Sequence, residues 1–163
     1  MQNEGSNQAN NEALSQLLEI MQTLRNPEGG CPWDLKQTFA SIVPHTLEEA
    51  YEVADCIERD DLSELKGELG DLLFQIVFYA QLAQEQQLFN FNDVVAQLNE
   101  KLIRRHPHVF SSQDTPTTDA ELAAQWQAIK AQERAAKPQD ESSTLWQDIP
   151  NSLPSLTKAK KIQ

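Results

Sequence analysis

Several features are scarce in this 163-residue sequence, and each scarcity excludes a class of protein. Five glycines and few β-branched runs argue against a large β-sheet, and no glycine-rich phosphate loop is present. The two cysteines, Cys31 and Cys56, have neither disulfide-framework nor zinc-finger spacing. Because a signal peptide and a long apolar run are also missing, we expect a reduced, cytoplasmic protein that does not enter a membrane.

Positive charge is scarce as well. Thirteen Lys and Arg residues stand against 25 Asp and Glu residues, which gives a formal net charge of -12. Such a field repels nucleic acid polymers and anionic membranes, so we expect neither as a partner. A ligand that carries phosphate would need a local basic patch or bound cations.

Amphipathic helical patterns fill most of the chain, so the predicted fold class is all-α, a bundle of four to five helices. Residues 1–10 are polar and are predicted to form a disordered tail. Residues 11–137 are predicted to form one helical domain. Residues 138–163 read as a linker and the start of a further helix, with a second domain missing beyond it.

The first two helical segments are bounded by recognisable caps and breaks. A first helix is predicted over 12–25, followed by a loop with Gly29-Gly30. Asp34 is predicted to cap a short helix that ends at Pro44, and Thr46 to cap the next helix. The apolar residues predicted to face inward on that helix are Leu47, Ala50, Ala54 and Ile57.

Asp61 is predicted to cap a long central helix that ends near Gln87. Apolar residues go nearly all the way round it over 72–80 (LLFQIVFYA), more surface than one neighbouring helix can cover. We therefore expect the chain to dimerise through this helix. A fourth helix should begin at Asn92 or Asp93, and a fifth at Thr118, which opens a capping box.

Two pairs of acidic residues, spaced three apart, flank the predicted break near Asp60. In each pair both members lie on one helix face. If the chain turns back at the break, opposed acids differ in height by only about 1.5 Å. Clustered oxygen ligands of this kind suit a hard cation such as magnesium. The four candidate ligands are Glu49, Glu52, Glu68 and Asp71.

Both the acids and a basic turn further on have ordinary explanations too. An acidic stripe is most often a solvated helix face, and Glu49 could instead close a capping box. Lys101 and Arg105 could simply complement a helix C-terminus, or they could reach phosphate oxygens that the metal also holds. Spacing alone leaves these alternatives open.

Three separated motifs resemble the MazG family of all-α nucleoside triphosphate pyrophosphohydrolases. They are Asn-Pro-Glu-Gly-Gly-Cys-Pro-Trp-Asp at 26–34, Glu-Glu-x-x-Glu at 48–52 with Gly-Glu-Leu-Gly-Asp-Leu-Leu-Phe at 67–74, and the stretch from Lys101 to Phe110. The resemblance is to the first domain of a two-domain member. It implies hydrolysis of a nucleoside or deoxynucleoside triphosphate to the monophosphate and pyrophosphate, in nucleotide-pool sanitation.

The resemblance also implies roles for individual residues. The four acids would bind Mg²⁺, with Mn²⁺ as a substitute, and Glu48 would orient or deprotonate the attacking water. Lys101 and Arg105 would contact phosphates, while Trp126 and Lys130 would lie near the nucleotide. The family is dimeric or higher, which agrees with the apolar central helix.

Two alternatives remain at this point. A domain of this fold can retain its acids and lack turnover, and would then serve dimerisation or regulation of a second, catalytic domain. Phosphoribosyl-ATP pyrophosphohydrolase shares the chemistry, but the motif at 26–34 argues against it.

Overall fold

The computed structural model describes residues 2–111 and 118–135, and in these ranges it contains helices and no strands. The all-α prediction is confirmed. The helices are α1 (Gln2–Leu24), a 3-10 helix (Asp34–Lys36), α2 (Phe39–Glu58), α3 (Leu62–Glu85), α4 (Phe91–Arg105), α5 (Pro107–Phe110) and α6 (Asp119–Ala135). None of these helices combines the length and apolar content that a bilayer-spanning segment requires.

The chain divides into two compact units, Met1–Asn99 and Glu100–Gln163, with the boundary inside α4. In the first unit, α1 and α2 both pack on α3, which confirms the prediction that α3 is the central helix. The predicted linker and further helix at 138–163 lie outside the described residues, and the predicted domain limits stay a prediction.

The core of the first unit is small and lies where α1, α2 and α3 meet. Its fully buried side chains are Met21, Ile42, Val77, Phe78 and Leu82. Leu17 and Leu18 of α1 pack against this cluster, as their helical spacing predicts. The helix itself begins at Gln2 and not near residue 12, so residues 2–10, predicted as a disordered tail, are helical. No proline interrupts them, and a helix that is already nucleated extends at little cost.

The start of α2 differs from the prediction. Pro44 lies inside a continuous helix, and the cap is Thr38, whose side chain accepts a hydrogen bond from the Ser41 backbone N–H. Thr46 is not a cap, because its hydroxyl lies within hydrogen-bond distance of the Ile42 carbonyl and of the Tyr79 hydroxyl. Proline lacks the N–H that would donate to the Ala40 carbonyl, so the helix continues through Pro44 with one hydrogen bond fewer.

The inward face of α2 also differs from the prediction. Leu47 and Ile57 are 45% and 59% exposed, and Ala50 and Ala54 are exposed as well. The face toward α3 lies on the neighbouring stripe of the same helix, whose members are Ile42, Thr46, Glu49, Val53 and Cys56. A glutamate therefore lies in the seam between two packed helices.

The turn and the cap between α2 and α3 are as predicted. Asp60 adopts a positive φ of 55°, which reverses the chain, and the Asp61 side chain accepts a hydrogen bond from the Glu64 backbone N–H. The capping box at Thr118 is confirmed too, because Thr118 and Glu121 exchange backbone-to-side-chain hydrogen bonds.

The loop between α1 and α2 is held by one buried arginine. Arg25 forms a two-point ion pair with Glu85 of α3, at 2.7 and 2.6 Å, and also donates to the Asp34 carbonyl. Its guanidinium lies over the Phe78 ring, 5.2 Å from the ring centroid. Gly30 is needed in this loop because a Cβ atom there would overlap the backbone oxygens of Leu24 and Asn26.

Replacing Arg25 should therefore cost much more stability than replacing Arg59, which is exposed although it forms more ion pairs. We expect Arg25→Met to lower the free energy of unfolding by about 2 kcal/mol, because Glu85 keeps a partly buried charge without its partner. Arg59→Met, which removes three ion pairs at the surface, should cost less than about 1 kcal/mol. Urea unfolding of both variants measures the difference, and equal losses would contradict the role given to Arg25.

Candidate metal centre

The α2–α3 hairpin brings three of the four predicted metal ligands together. Carboxylate oxygens of Glu49, Glu68 and Asp71 lie within 4.8 Å of one another. Glu49 and Glu68 are half-buried, and Asp71 is exposed. This acidic cluster (Glu49, Glu68 and Asp71) is what the mirrored spacing about Asp60 predicts.

Glu52, the fourth predicted ligand, borders the acidic cluster without completing it. Its carboxylate is exposed and interacts with both Glu49 and Glu68. Burial raises the pKa of Glu49, and the charge of Glu52 and a hydrogen bond with it raise that pKa further. Burial likewise raises the pKa of Glu68, followed by the charges of Glu52 and Asp71. These acids are therefore costly to ionise together in the absence of a cation.

Glu48, predicted to act on the attacking water, lies outside the acidic cluster. Its carboxylate is exposed, 3.8 Å from Nδ1 of His45. The His45 ring in turn meets the edge of Trp33, with the ring centroids 5.9 Å apart. Trp33 is 51% exposed, so it is a surface residue of its loop and not part of the core.

The donor set fits a hard divalent cation. All the clustered ligands are carboxylate oxygens, with no cysteine or histidine among them, which favours Mg²⁺ or Mn²⁺ over softer metals. One turn beyond Asp71, Gln75 is buried, and its Oε1 atom has no hydrogen-bond partner among residues 2–111 and 118–135. Gln75 follows Glu68 and Asp71 on the same face of α3, so this face also carries a buried amide oxygen that lacks a hydrogen bond.

The second unit contains two of the predicted phosphate and nucleotide contacts in direct contact with each other. The Arg105 guanidinium lies 5.6 Å from the centroid of the Trp126 ring. Lys130 follows Trp126 by one helical turn, and Lys101 precedes Arg105 by one turn. Glu133 forms ion pairs with both Arg104 and Arg105. Sequence reasoning missed Glu133, although it lies seven residues after Trp126, on the same helix face.

The fold and the acidic cluster define an all-α domain with a carboxylate-lined hairpin, and comparison with known proteins agrees. Residues 37–110 match the MazG nucleotide pyrophosphohydrolase domain. The chain therefore carries a domain of the MazG family, as its motifs predict.

Curated relatives match nearly the whole chain. It is 56% identical over 150 residues to an Escherichia coli protein named nucleoside triphosphate pyrophosphohydrolase, covering 92% of this chain and 56% of that protein. It is 46% identical to a Thermotoga maritima protein named nucleoside triphosphate pyrophosphohydrolase/pyrophosphatase MazG, covering 92% and 55%. The chain thus spans little more than half the length of these relatives. The prediction that it corresponds to the first of two domains stays a prediction.

A solved structure agrees with the fold. The crystal structure of a MazG-related protein from Thermotoga maritima matches with a TM-score of 0.59 and 27% identity. The match covers 72% of this chain and 98% of that one.

The raised pKa values of Glu49 and Glu68 predict how stability depends on pH without metal. Between the ordinary value of 4.5 and the raised one, the native protein holds more protons than the unfolded chain. Stability therefore falls as pH rises through that window. Glu49→Gln, which removes one charge, should raise Tm in metal-free buffer at pH 7 and flatten its dependence on pH.

Added Mg²⁺ shows whether the change in Tm of Glu49→Gln comes from a metal centre or from a general change in stability. It should raise the Tm of the unchanged protein at pH 7, because a ligand that binds only the native state stabilises it. Glu49→Gln should lose most of that rise, whereas Glu58→Gln, an exposed carboxylate on the same helix, should retain it. An unchanged Mg²⁺ response in Glu49→Gln would contradict the metal centre.

Proposed function

We propose that this domain hydrolyses nucleoside or deoxynucleoside triphosphates to the monophosphate and pyrophosphate, with Mg²⁺ as cofactor and Mn²⁺ as a substitute, in nucleotide-pool sanitation. The acidic cluster in a MazG domain is the observation that carries this proposal. The relatives' names support the reaction type. The predicted cytoplasmic location and the absence of nucleic acid and membrane partners remain predictions.

Glu49, Glu68 and Asp71 would hold the cation, with Glu52 beside them as the fourth carboxylate. A bound divalent cation supplies positive charge that neutralises polyphosphate oxygens and favours ionisation of the attacking water. The carboxylates fix the place of that charge, and they lose their mutual repulsion when it is present. This explains why a helix seam retains acids that destabilise it in the absence of metal.

Glu48 is proposed to orient the attacking water or accept its proton. Its place next to Glu49, outside the acidic cluster, supports this role because a carboxylate that is not itself a ligand keeps an acceptor oxygen for a proton. Lys101 and Arg105 are proposed to bind phosphate oxygens, with Trp126 and Lys130 near the nucleotide. Support for this comes from the contact between Arg105 and Trp126.

Pyrophosphate release from a panel of NTPs and dNTPs, with and without Mg²⁺, tests the reaction. We expect Mg²⁺-dependent release, and a loss of at least about 100-fold in the Glu49→Ala/Glu68→Ala variant, which lacks two of the clustered ligands. Glu58→Ala serves as the matched carboxylate control. Glu48→Gln should lower kcat while keeping the Mg²⁺-dependent rise in Tm.

The outcome also decides between this proposal and a catalytically silent domain. No Mg²⁺-dependent release from the unchanged chain, or no loss in the double variant, would overturn the catalytic proposal. Calorimetric titration with Mg²⁺ and nucleotide would then show whether the domain binds without turnover. A domain that serves only dimerisation or regulation of a catalytic partner would be the remaining interpretation.

We further propose that the chain forms a homodimer or a higher oligomer through the uncovered face of the α2–α3 hairpin. Leu69 and Ile76 of α3 are 50% and 42% exposed, and Leu47 and Ile57 of α2 are also exposed. Apolar side chains in a row along both helices are the usual composition of a subunit interface.

A charge placed on that face should separate the subunits. Leu69→Lys is expected to shift the molar mass measured by light scattering during size-exclusion chromatography from oligomer to monomer. Leu88→Lys, at an exposed leucine outside both helices, should leave it unchanged. An unchanged chain that is already monomeric, or an oligomer that survives Leu69→Lys, would refute this interface.

A further inference from the structure

We infer that Glu133 is a positioning residue, which holds the Arg105 guanidinium against Trp126 with one edge left open for a phosphate. This inference rests on the proposed function, because Arg105 is a phosphate contact only there. It concerns the second unit by itself, where every contact it uses is made.

Both carboxylate oxygens of Glu133 accept hydrogen bonds from arginine: Oε2 from Arg105, and Oε1 from Arg104 and also, at 3.3 Å, from Nε of Arg105. Its Oε2 lies 2.6 Å from Nη2 and 3.2 Å from Nε of Arg105, a side-on grip on one edge of the guanidinium. Its Oε1 lies 2.7 Å from Nη2 of Arg104. The hydrogen bonds from Arg105 and then from Arg104 lower the pKa of Glu133 to about 2, so the carboxylate is charged at every physiological pH.

The side-on grip and the indole together fix the plane of the guanidinium. Glu133 and Trp126 lie on one face of α6, and the Trp126 ring is 5.6 Å from the Arg105 guanidinium carbon. His106 packs against the same indole in an edge-to-face arrangement, with the ring centroids 5.2 Å apart, so Trp126 has a second contact within the unit. A planar cation with one edge and one face fixed has little freedom left.

The other edge of Arg105 has no hydrogen-bond partner among the described residues. A guanidinium has five N–H donors, and Glu133 occupies the Nε edge. Nη1 makes no hydrogen bond to any residue in 2–111 or 118–135. A positioning residue must leave some N–H donors of Arg105 available for phosphate. A carboxylate that competed with phosphate for Arg105 would have no such requirement.

Neutralising Glu133 has two opposite expected effects on anion affinity, one from charge and one from geometry. Neutralising Glu133 raises the net charge of its cluster with Arg104 and Arg105 by one, which by itself would tighten anion binding. Releasing the guanidinium from its fixed plane weakens binding, because ordering it again costs entropy. A positioning role requires the second effect to win.

The test uses the full chain with Trp33→Phe and Trp146→Phe, so that Trp126 is the remaining tryptophan of the three. Inorganic tripolyphosphate with Mg²⁺ is titrated, and Trp126 fluorescence reports binding. We expect Glu133→Gln to weaken the affinity about fivefold despite the added positive charge, and to shift the ligand-free Trp126 emission as Arg105→Gln does. Glu133→Asp, which keeps the charge on a shorter stem, should give an intermediate affinity and serves if Glu133→Gln does not fold.

Two comparisons distinguish a positioning role of Glu133 from a purely structural role, in which its ion pairs only hold α6 to the end of α4. Arg104→Lys disturbs the other half of the Glu133 ion pair but keeps its charge, and should change the affinity by less than about twofold. In an Arg105→Gln background, Glu133→Gln should have no further effect, because its role is exerted through Arg105. Tighter or unchanged binding in Glu133→Gln, additivity with Arg105→Gln, an equal loss in Arg104→Lys, or no binding to the unchanged chain would each overturn the inference.

The titration requires no turnover, so its failure is distinct from failure of the proposed function. A chain that binds tripolyphosphate through Arg105 and releases no pyrophosphate would retain the role of Glu133 and lose the reaction.

Discussion

Electrostatic repulsion in the seam between α2 and α3 is the constraint on which the site depends. Glu49 occupies the stripe of α2 that also carries Ile42 and Cys56, so it must pack wherever those residues pack. Glu68 and Asp71 meet it from α3. The two helices are held together by the apolar cluster that contains Ile42 of α2 and Phe78 of α3, and by the Thr46–Tyr79 hydrogen bond. The fold thus provides the stability that the acids remove, and a bound cation would recover it.

The two units present opposite charges by different means. In the first unit like charges are brought together by packing, which makes the acidic cluster a candidate site for a cation. In the second unit Arg104 and Arg105 are held by a single carboxylate, which leaves one net positive charge in their cluster. Each arrangement depends on contacts within its own unit.

The sequence predicted those parts of the fold that depend on local patterns. The central helix, the turn at Asp60 and the cap at Asp61 follow from apolar periodicity and capping chemistry. The convergence of Glu49 with Glu68 follows from spacing about that turn. Sequence failed at Pro44 and on the inward face of α2. The inward face of α2 was wrong because the stripe that turns inward is decided by which neighbour covers it, and Leu47 has the apolar character of a core residue although it is exposed. Pro44 was mistaken for a helix break because proline is unfavourable inside a helix, whereas the capping box at Thr38 starts the helix before it. Glu133 was missed because its ion pairs with Arg104 and Arg105 join residues far apart in the sequence, which residue spacing does not reveal.

The loop at 26–34 shows that residues of a family motif can serve the fold instead of the reaction. Gly30 lies where any side chain would collide with the backbone at the end of α1, and Arg25 fixes the loop to α3 through the Asp34 carbonyl. These requirements concern chain packing and involve no substrate. This motif therefore carries architectural information, and a chain could keep it intact after its chemistry had been lost. Membership in the family and possession of the reaction are separate properties of such a sequence, and they are encoded by different residues.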